Sequence, residues 1–266
     1  MTNIRPPAVA GQFYPADAAT LSRQVMAFLA EAGEDVSTPP KALIAPHAGY
    51  VYSGPVAAHA YAHIAPLKGT VKRVVLLGPC HRVAVQGLAL SSADSFQTPL
   101  GLVPIDHSQD DQLNAIVGVE TFDATHAQEH SLEVHIPFLQ VILGAFELLP
   151  IVVGNANPEM VANVLENLWG GPETLIVISS DLSHYLSYDD AKAIDQKTCE
   201  AIENFDWDNI GDSQACGRMP VKGLLELAKR KGLKVRTLDL RNSGDTAGPR
   251  NQVVGYGSWG FWESEV

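Results

Sequence analysis

Two histidines occupy comparable positions, His47 in Ala-Pro-His47-Ala-Gly-Tyr50 and His81 in Gly-Pro-Cys80-His81. Each comes soon after a short apolar run, residues 42–45 and 74–77, and precedes loop-like sequence. Ligands of open α/β sheets bind beyond the carboxyl ends of the strands. Two imidazoles converging there would begin a metal site. Cys80 is a rival ligand beside His81. Adjacent side chains in extended backbone point in opposite directions, so only one of the two faces the site. His81 is preferred because it stands in the same relation to its strand as His47.

Two further groups carry chemistry. Ser179-Ser-Asp181-Leu-Ser-His184 adds a carboxylate and an imidazole at a third strand end; Asp181 equally suits the cap of a following helix. Glu129-His130-Ser-Leu-Glu133-Val-His135 sets four ionisable groups in seven residues. On a helix, Glu129 and Glu133 would share a face, as would His130 and Glu133. A solvated helix start is the plain alternative, and the spacing is not that of the HExxH zinc motif.

The elements that must position these groups follow from periodicity. Leu21, Val25, Phe28 and Leu29 recur at helical spacing and predict a helix over 17–31. A strand over 41–45, a helix over 54–63 and a strand over 73–78 form a βαβ unit. Strands are expected at 87–90 and 101–105 around a turn-like 94–99, then a helix over 110–119. The Ile/Val-rich runs 148–153 and 174–179 read as strands covered on both faces, with a helix over 158–169 between them. Helices over 188–204 and 221–231 and strands over 235–240 and 255–262 complete the chain. This alternation predicts an α/β sandwich, a single domain over 1–266 with a central mixed, largely parallel sheet flanked by helices.

Composition narrows the partners. Thirty Asp and Glu against 18 Lys and Arg give a formal charge of −12, a field that repels phosphate backbones, so nucleic acid is not expected. No run of about twenty apolar residues predicts a membrane span, and the first residues lack the layout of a signal peptide. The default expectation is a soluble cytoplasmic protein. Three widely spaced cysteines, Cys80, Cys199 and Cys216, do not suggest a disulfide framework. No dinucleotide fingerprint follows the first strand. Ser180 lacks the elbow of a hydrolase nucleophile. The glycines of 242–248 lack the Lys-Ser/Thr ending of a P-loop and suggest a loop over the cleft.

Seven motifs occur in order: Ala-Gly-Gln-Phe-Tyr-Pro15, Ile-Ala-Pro-His47-Ala-Gly-Tyr, Leu-Gly-Pro-Cys-His81, Glu129-His-Ser-Leu-Glu-Val-His135, Ser-Ser-Asp181-Leu-Ser-His184, Cys216-Gly-Arg-Met-Pro220 and Val-Val-Gly-Tyr256. In these the chain resembles the Memo family, whose prokaryotic members are often called AmmeMemoRadiSam system protein B. The resemblance implies a fold similar to class III extradiol ring-cleaving dioxygenases. It also implies a metal site at His47, His81 and Cys216, with Asp181 and His184 close by. Thiolate and imidazole suit Fe(II) or Cu, with Zn also compatible. Ring-cleaving relatives use two histidines and a carboxylate, so a thiolate ligand shifts the expectation toward redox chemistry.

The leading expectation is therefore a metal-dependent, dioxygenase-like oxidoreductase. His184 would be the general acid/base, with Asp181 orienting it. Glu129, His130 and His135 would support the ligands, and Arg218 and Arg250 would meet an anionic substrate. The alternatives are a binding module that uses the same cleft for an anionic or peptide ligand, and a metal hydrolase. The resemblance also implies a radical-SAM system as partner. Sequence leaves the small-molecule or peptide ligand and the oligomeric state open.

Overall fold

Val74, Val75, Leu76 and Leu77 are all fully buried, which requires cover on both faces of their strand. The computed structural model, which describes residues 2–33 and 38–264, supplies that cover. Its strands are β1 (Ile4–Arg5), β2 (Ala42–Ala45), β3 (Arg73–Pro79), β4 (Leu88–Leu90), β5 (Ser95–Thr98), β6 (Gly101–Pro104), β7 (Val119–Thr121), β8 (Glu147–Val153), β9 (Thr174–Ser179), β10 (His184–Leu186), β11 (Lys234–Asn242) and β12 (Val253–Trp262). Its α-helices are α1 (Ala18–Ala32), α2 (Tyr50–Ala62), α3 (Asp110–Asn114), α4 (Asp123–Ala127), α5 (Ile136–Leu143), α6 (Pro158–Asn167), α7 (Tyr188–Glu203), α8 (Arg218–Lys231) and α9 (Ser243–Thr246).

The large sheet runs β10-β12-β2-β9-β3-β8-β4-β7, with β11 on the other side of β12. Its four central strands, β2, β9, β3 and β8, are parallel, and β12 joins β2 antiparallel. The sheet is thus mixed with a parallel centre, and helices flank it. Alternation along each strand divides the core. Ile44, Val75, Leu77, Ile176 and Ile178 pack with Val161 and Leu165 of α6 and Leu224 and Leu225 of α8. Leu43, Val74, Leu76, Leu175 and Val177 pack with Leu21 of α1, Ala57 and Tyr61 of α2 and Phe138 of α5. Each such buried aliphatic side chain contributes about 1.5–3 kcal/mol. A small second sheet, β1-β5-β6, sits apart from this path.

Several local expectations change. Residues 94–99 are not a turn: Phe96 is buried and β5 pairs with both β1 and β6. The short polar side chains of Ser95 and Thr98, both also buried, disguise the strand. The helix expected over 110–119 stops at Asn114, and Gly118, at φ +87°, turns the chain into β7. Residues 129–132 are not helical, so the shared-face argument for Glu129 and Glu133 does not apply; a 3-10 turn, Glu133–His135, leads into α5. Asp181 caps no helix, because the chain goes on to β10, and Ser187 caps α7 instead. The 242–248 segment contains α9, closed by an Asn242–Asp245 capping box.

Candidate metal centre

β2, β9 and β3 are neighbours, and Ala45 pairs with Ser179 at their carboxyl ends. His47, Asp181 and His81 follow directly from those ends, as the sequence predicts. His47 is buried, with its Nε2 atom 3.9 Å from the Asp181 carboxylate, and its amide donates to Asp181 Oδ1 at 2.7 Å. His81 is open to the cleft. Its amide and Nδ1 lie 2.6 and 2.9 Å from the two oxygens of Glu129. The Cys80 thiol turns away and bonds to the Val83 carbonyl, so His81 is the one that faces the site.

Cys216 arrives from a distant loop fastened to the end of β9. Its amide donates to the Asp181 carbonyl at 3.2 Å, the Asp181 amide lies 3.3 Å from its Sγ, and the Gly217 amide donates to Ser180 Oγ at 3.0 Å. This approach needs glycine at 217, since a Cβ there would lie 2.4 Å from the Ser179 carbonyl oxygen.

One ligand atom from each of His47, His81 and Cys216 lies within 4.8 Å of the others. Ligand bonds of about 2.0–2.3 Å put tetrahedral neighbours roughly 3.5 Å apart, so small adjustments would close this set on an ion. The donor chemistry, two imidazoles and a sulfur, fits Fe(II), Cu or Zn. His81, Glu129 and His130 form a second such group sharing His81.

The electrostatics favour neutral imidazoles. Burial, reinforced by the neighbouring histidines, pushes His47 well below its ordinary value. Burial lowers His130 to about 4 and His135 to about 3. Burial raises Asp181 to about 6, against the hydrogen bond from His47 and the nearby His184. Glu129 is also lifted by burial, but the bonds from His81 and Ser131 outweigh this and hold it at about 2. Burial and the Asp181 carboxylate raise the Cys216 thiol strongly, so it is protonated without a metal, and an ion must displace that proton.

These groups open onto a cleft of about 560 Å³. His47, His81, His130, Asp181 and His184 line it, with Phe13, Tyr52, Tyr185 and Tyr256. His130 stacks on His81 at 4.6 Å and tilts against Phe13 at 4.7 Å. Ser243 and Gly248 bring the 242–248 segment to the cleft as well.

Other candidates lie elsewhere. Arg218 pairs with Asp212 at 2.7 Å, and the Arg250 guanidinium sits 4.4 Å over Tyr188; neither lines the cleft. His135 is buried behind His47 and reaches it only through Ser179. Glu133 fixes no histidine. It receives Arg5, the Ala8 and Val9 amides and the Tyr14 hydroxyl, and so binds the N-terminal segment that carries Phe13. Sequence reading missed Ser179 and Phe13 as parts of the site. Ser179 ends an apolar run and resembles any strand terminus; both Ser179 and Phe13 stand inside the ordered motifs, which is the available signal.

No helix among the described residues is long and apolar enough to cross a membrane. A family model described as "Memo-like protein" matches residues 5–259. Curated relatives named MEMO1 family proteins include one from Sulfolobus acidocaldarius, 36% identical over 95% of this chain and 97% of its own. Others come from Ignicoccus hospitalis, 37% identical over 97% and 98%, and Aquifex aeolicus, 36% identical over 95% and 97%. Among solved structures, an uncharacterized protein of Escherichia coli K12 aligns at TM-score 0.49 and 9% identity, covering 81% of this chain and 98% of that one. The ordered motifs therefore reflect common descent, and the chain belongs to the Memo-like family.

Proposed function

We propose that this chain is a metal-dependent protein whose ion is held by His47, His81 and Cys216, and that the centre performs redox chemistry on a small molecule in the adjoining cleft. The observation that carries the reading is the convergence of two imidazoles and one sulfur within 4.8 Å. Redox chemistry calls for Fe(II) or Cu at these donors, and a Zn centre would point to hydrolysis instead. When bound, the ion would supply an electron-transfer centre softened by its thiolate ligand.

The remaining chemistry belongs to the chain. His184 lines the cleft beside the ligands and takes or returns the substrate proton. Asp181 ties the backbone of His47 to the loop of Cys216, so its carboxylate and carbonyl keep those two ligands together. Phe13, Tyr52, Tyr185 and Tyr256 give the cleft an aromatic lining that suits a planar ligand.

That lining also supports a second reading, recognition of a ligand without turnover. Anaerobic loading followed by elemental analysis and electronic and electron paramagnetic resonance spectroscopy separates the two. The redox reading expects near-stoichiometric Fe or Cu with a thiolate charge-transfer band. Full metal retention by both His47→Ala and Cys216→Ser would overturn it. Ligand capture that survives chelation would favour the recognition module.

A further inference from the structure

Three hydrogen bonds behind the metal centre meet at one hydroxyl, and a fourth extends the chain beyond it. Ser179 Oγ lies 2.6 Å from the Ser131 carbonyl oxygen, 2.6 Å from His47 Nδ1 and 2.8 Å from His135 Nε2. His135 Nδ1 in turn lies 2.8 Å from the Tyr61 hydroxyl. Ser179, Ser131, His47, His135 and Tyr61 are all buried, so no solvent can substitute for a missing partner.

The directions of these bonds are forced. A carbonyl only accepts, so the Ser179 proton must go to Ser131. A hydroxyl has one proton and two acceptor positions. Ser179 Oγ must then accept from both histidines, which places a proton on His47 Nδ1 and another on His135 Nε2. His135 Nδ1 is left with a lone pair, which receives the Tyr61 proton. The consequence reaches the cleft: His47 Nε2, 3.3 Å from Cys216 Sγ, carries no proton and offers its lone pair.

We infer that Ser179 is a positioning residue that selects the metal-ready tautomer of His47. This inference rests on the metal-binding reading above. The Ser131 carbonyl sets Ser179, Ser179 sets His47, and His135 with Tyr61 fills the last acceptor position so that no alternative pattern competes. His81 reaches the same state by a different device: the Glu129 carboxylate, an acceptor only, accepts a hydrogen bond from Nδ1–H and so leaves Nε2 with its lone pair. One ligand is thus set by a neutral hydroxyl relay and the other by a charge.

Long-range nitrogen–proton NMR on the metal-free protein reads the tautomers directly, and anaerobic Co(II) titration reads affinity. The expected result is Nδ1 protonation at His47 and His81 and Nε2 protonation at His135. In Ser179→Ala, His47 should become a mixture of tautomers and Co(II) affinity should fall about ten- to a hundredfold. A wild-type His47 protonated at Nε2 would overturn the inference. So would a folded Ser179→Ala protein with unchanged His47 tautomer or unchanged affinity. If that variant does not fold, the wild-type assignments decide alone. A wild-type protein that takes up no Co(II) defeats the metal reading, while the tautomers still judge the relay.

Discussion

His47 Nε2 and Cys216 Sγ lie 3.3 Å apart although 169 positions separate them in the chain. The parallel centre of the sheet delivers the histidine, and a loop fastened to the neighbouring strand end delivers the sulfur. On the proposed reading, metal affinity would measure whether two remote parts of the fold have met.

His47→Ala and Cys216→Ser should each lower Fe(II) or Cu affinity by about tenfold or more, since each removes a ligand. Competition with a chromophoric chelator measures this. His184→Ala should keep its metal and lose turnover or ligand response; loss of the metal instead would make His184 a ligand.

Gly217→Ala should move Cys216 without touching any ligand. Its new methyl would meet the Ser179 carbonyl at 2.4 Å and Ser180 Cβ at 2.7 Å. Overpacking of this kind costs about 1–3 kcal/mol. Denaturant titration together with Co(II) absorption should show a less stable protein with a weakened thiolate band.

Arg5→Met should destabilise the fold by about 3–5 kcal/mol, because it leaves the buried Glu133 charge unpaired. The double variant Arg5→Met/Glu133→Gln should recover part of that loss. Urea unfolding of the wild type, both single variants and the double variant tests the coupling, and strictly additive losses would contradict it.

Stability should fall as pH drops from about 6.5 toward 4. Burial holds His126 and His130 near 4, His135 near 3 and His47 well below its ordinary value. An unfolded chain takes up these four protons in that window and the fold does not. Asp181 and Asp195, raised to about 6 by burial, act in the opposite sense because the fold protonates first. Four histidines against two carboxyls leave a net loss toward acid. Thermal midpoints that stay flat or rise between pH 6.5 and 4 would refute this balance.

The strands beneath the site were legible because β2, β3 and β9 are apolar at nearly every position, and such runs have few other uses. His47 and His81 were legible from their place after those runs. Cys216 was not, because neither periodicity nor spacing marks a residue brought in by a loop contact; only the family resemblance named it. Glu129 and Glu133 misled for a related reason. Helical spacing applied to a stretch that is not helical pairs the wrong groups, and the true partners, His81 and Arg5, are far away in sequence. The arginines failed because a cation in an acidic chain finds a closer carboxylate or ring, as Arg218 and Arg250 do.

The clamp on Glu133 has a bearing on the order of assembly. Residues 5 to 14 are translated more than a hundred residues before the carboxylate that receives them. Until then Arg5 has no counter-charge and Phe13 no histidine to lean on. The cleft wall is therefore completed only after Glu133 and His130 have been made and the earlier segment has closed over them.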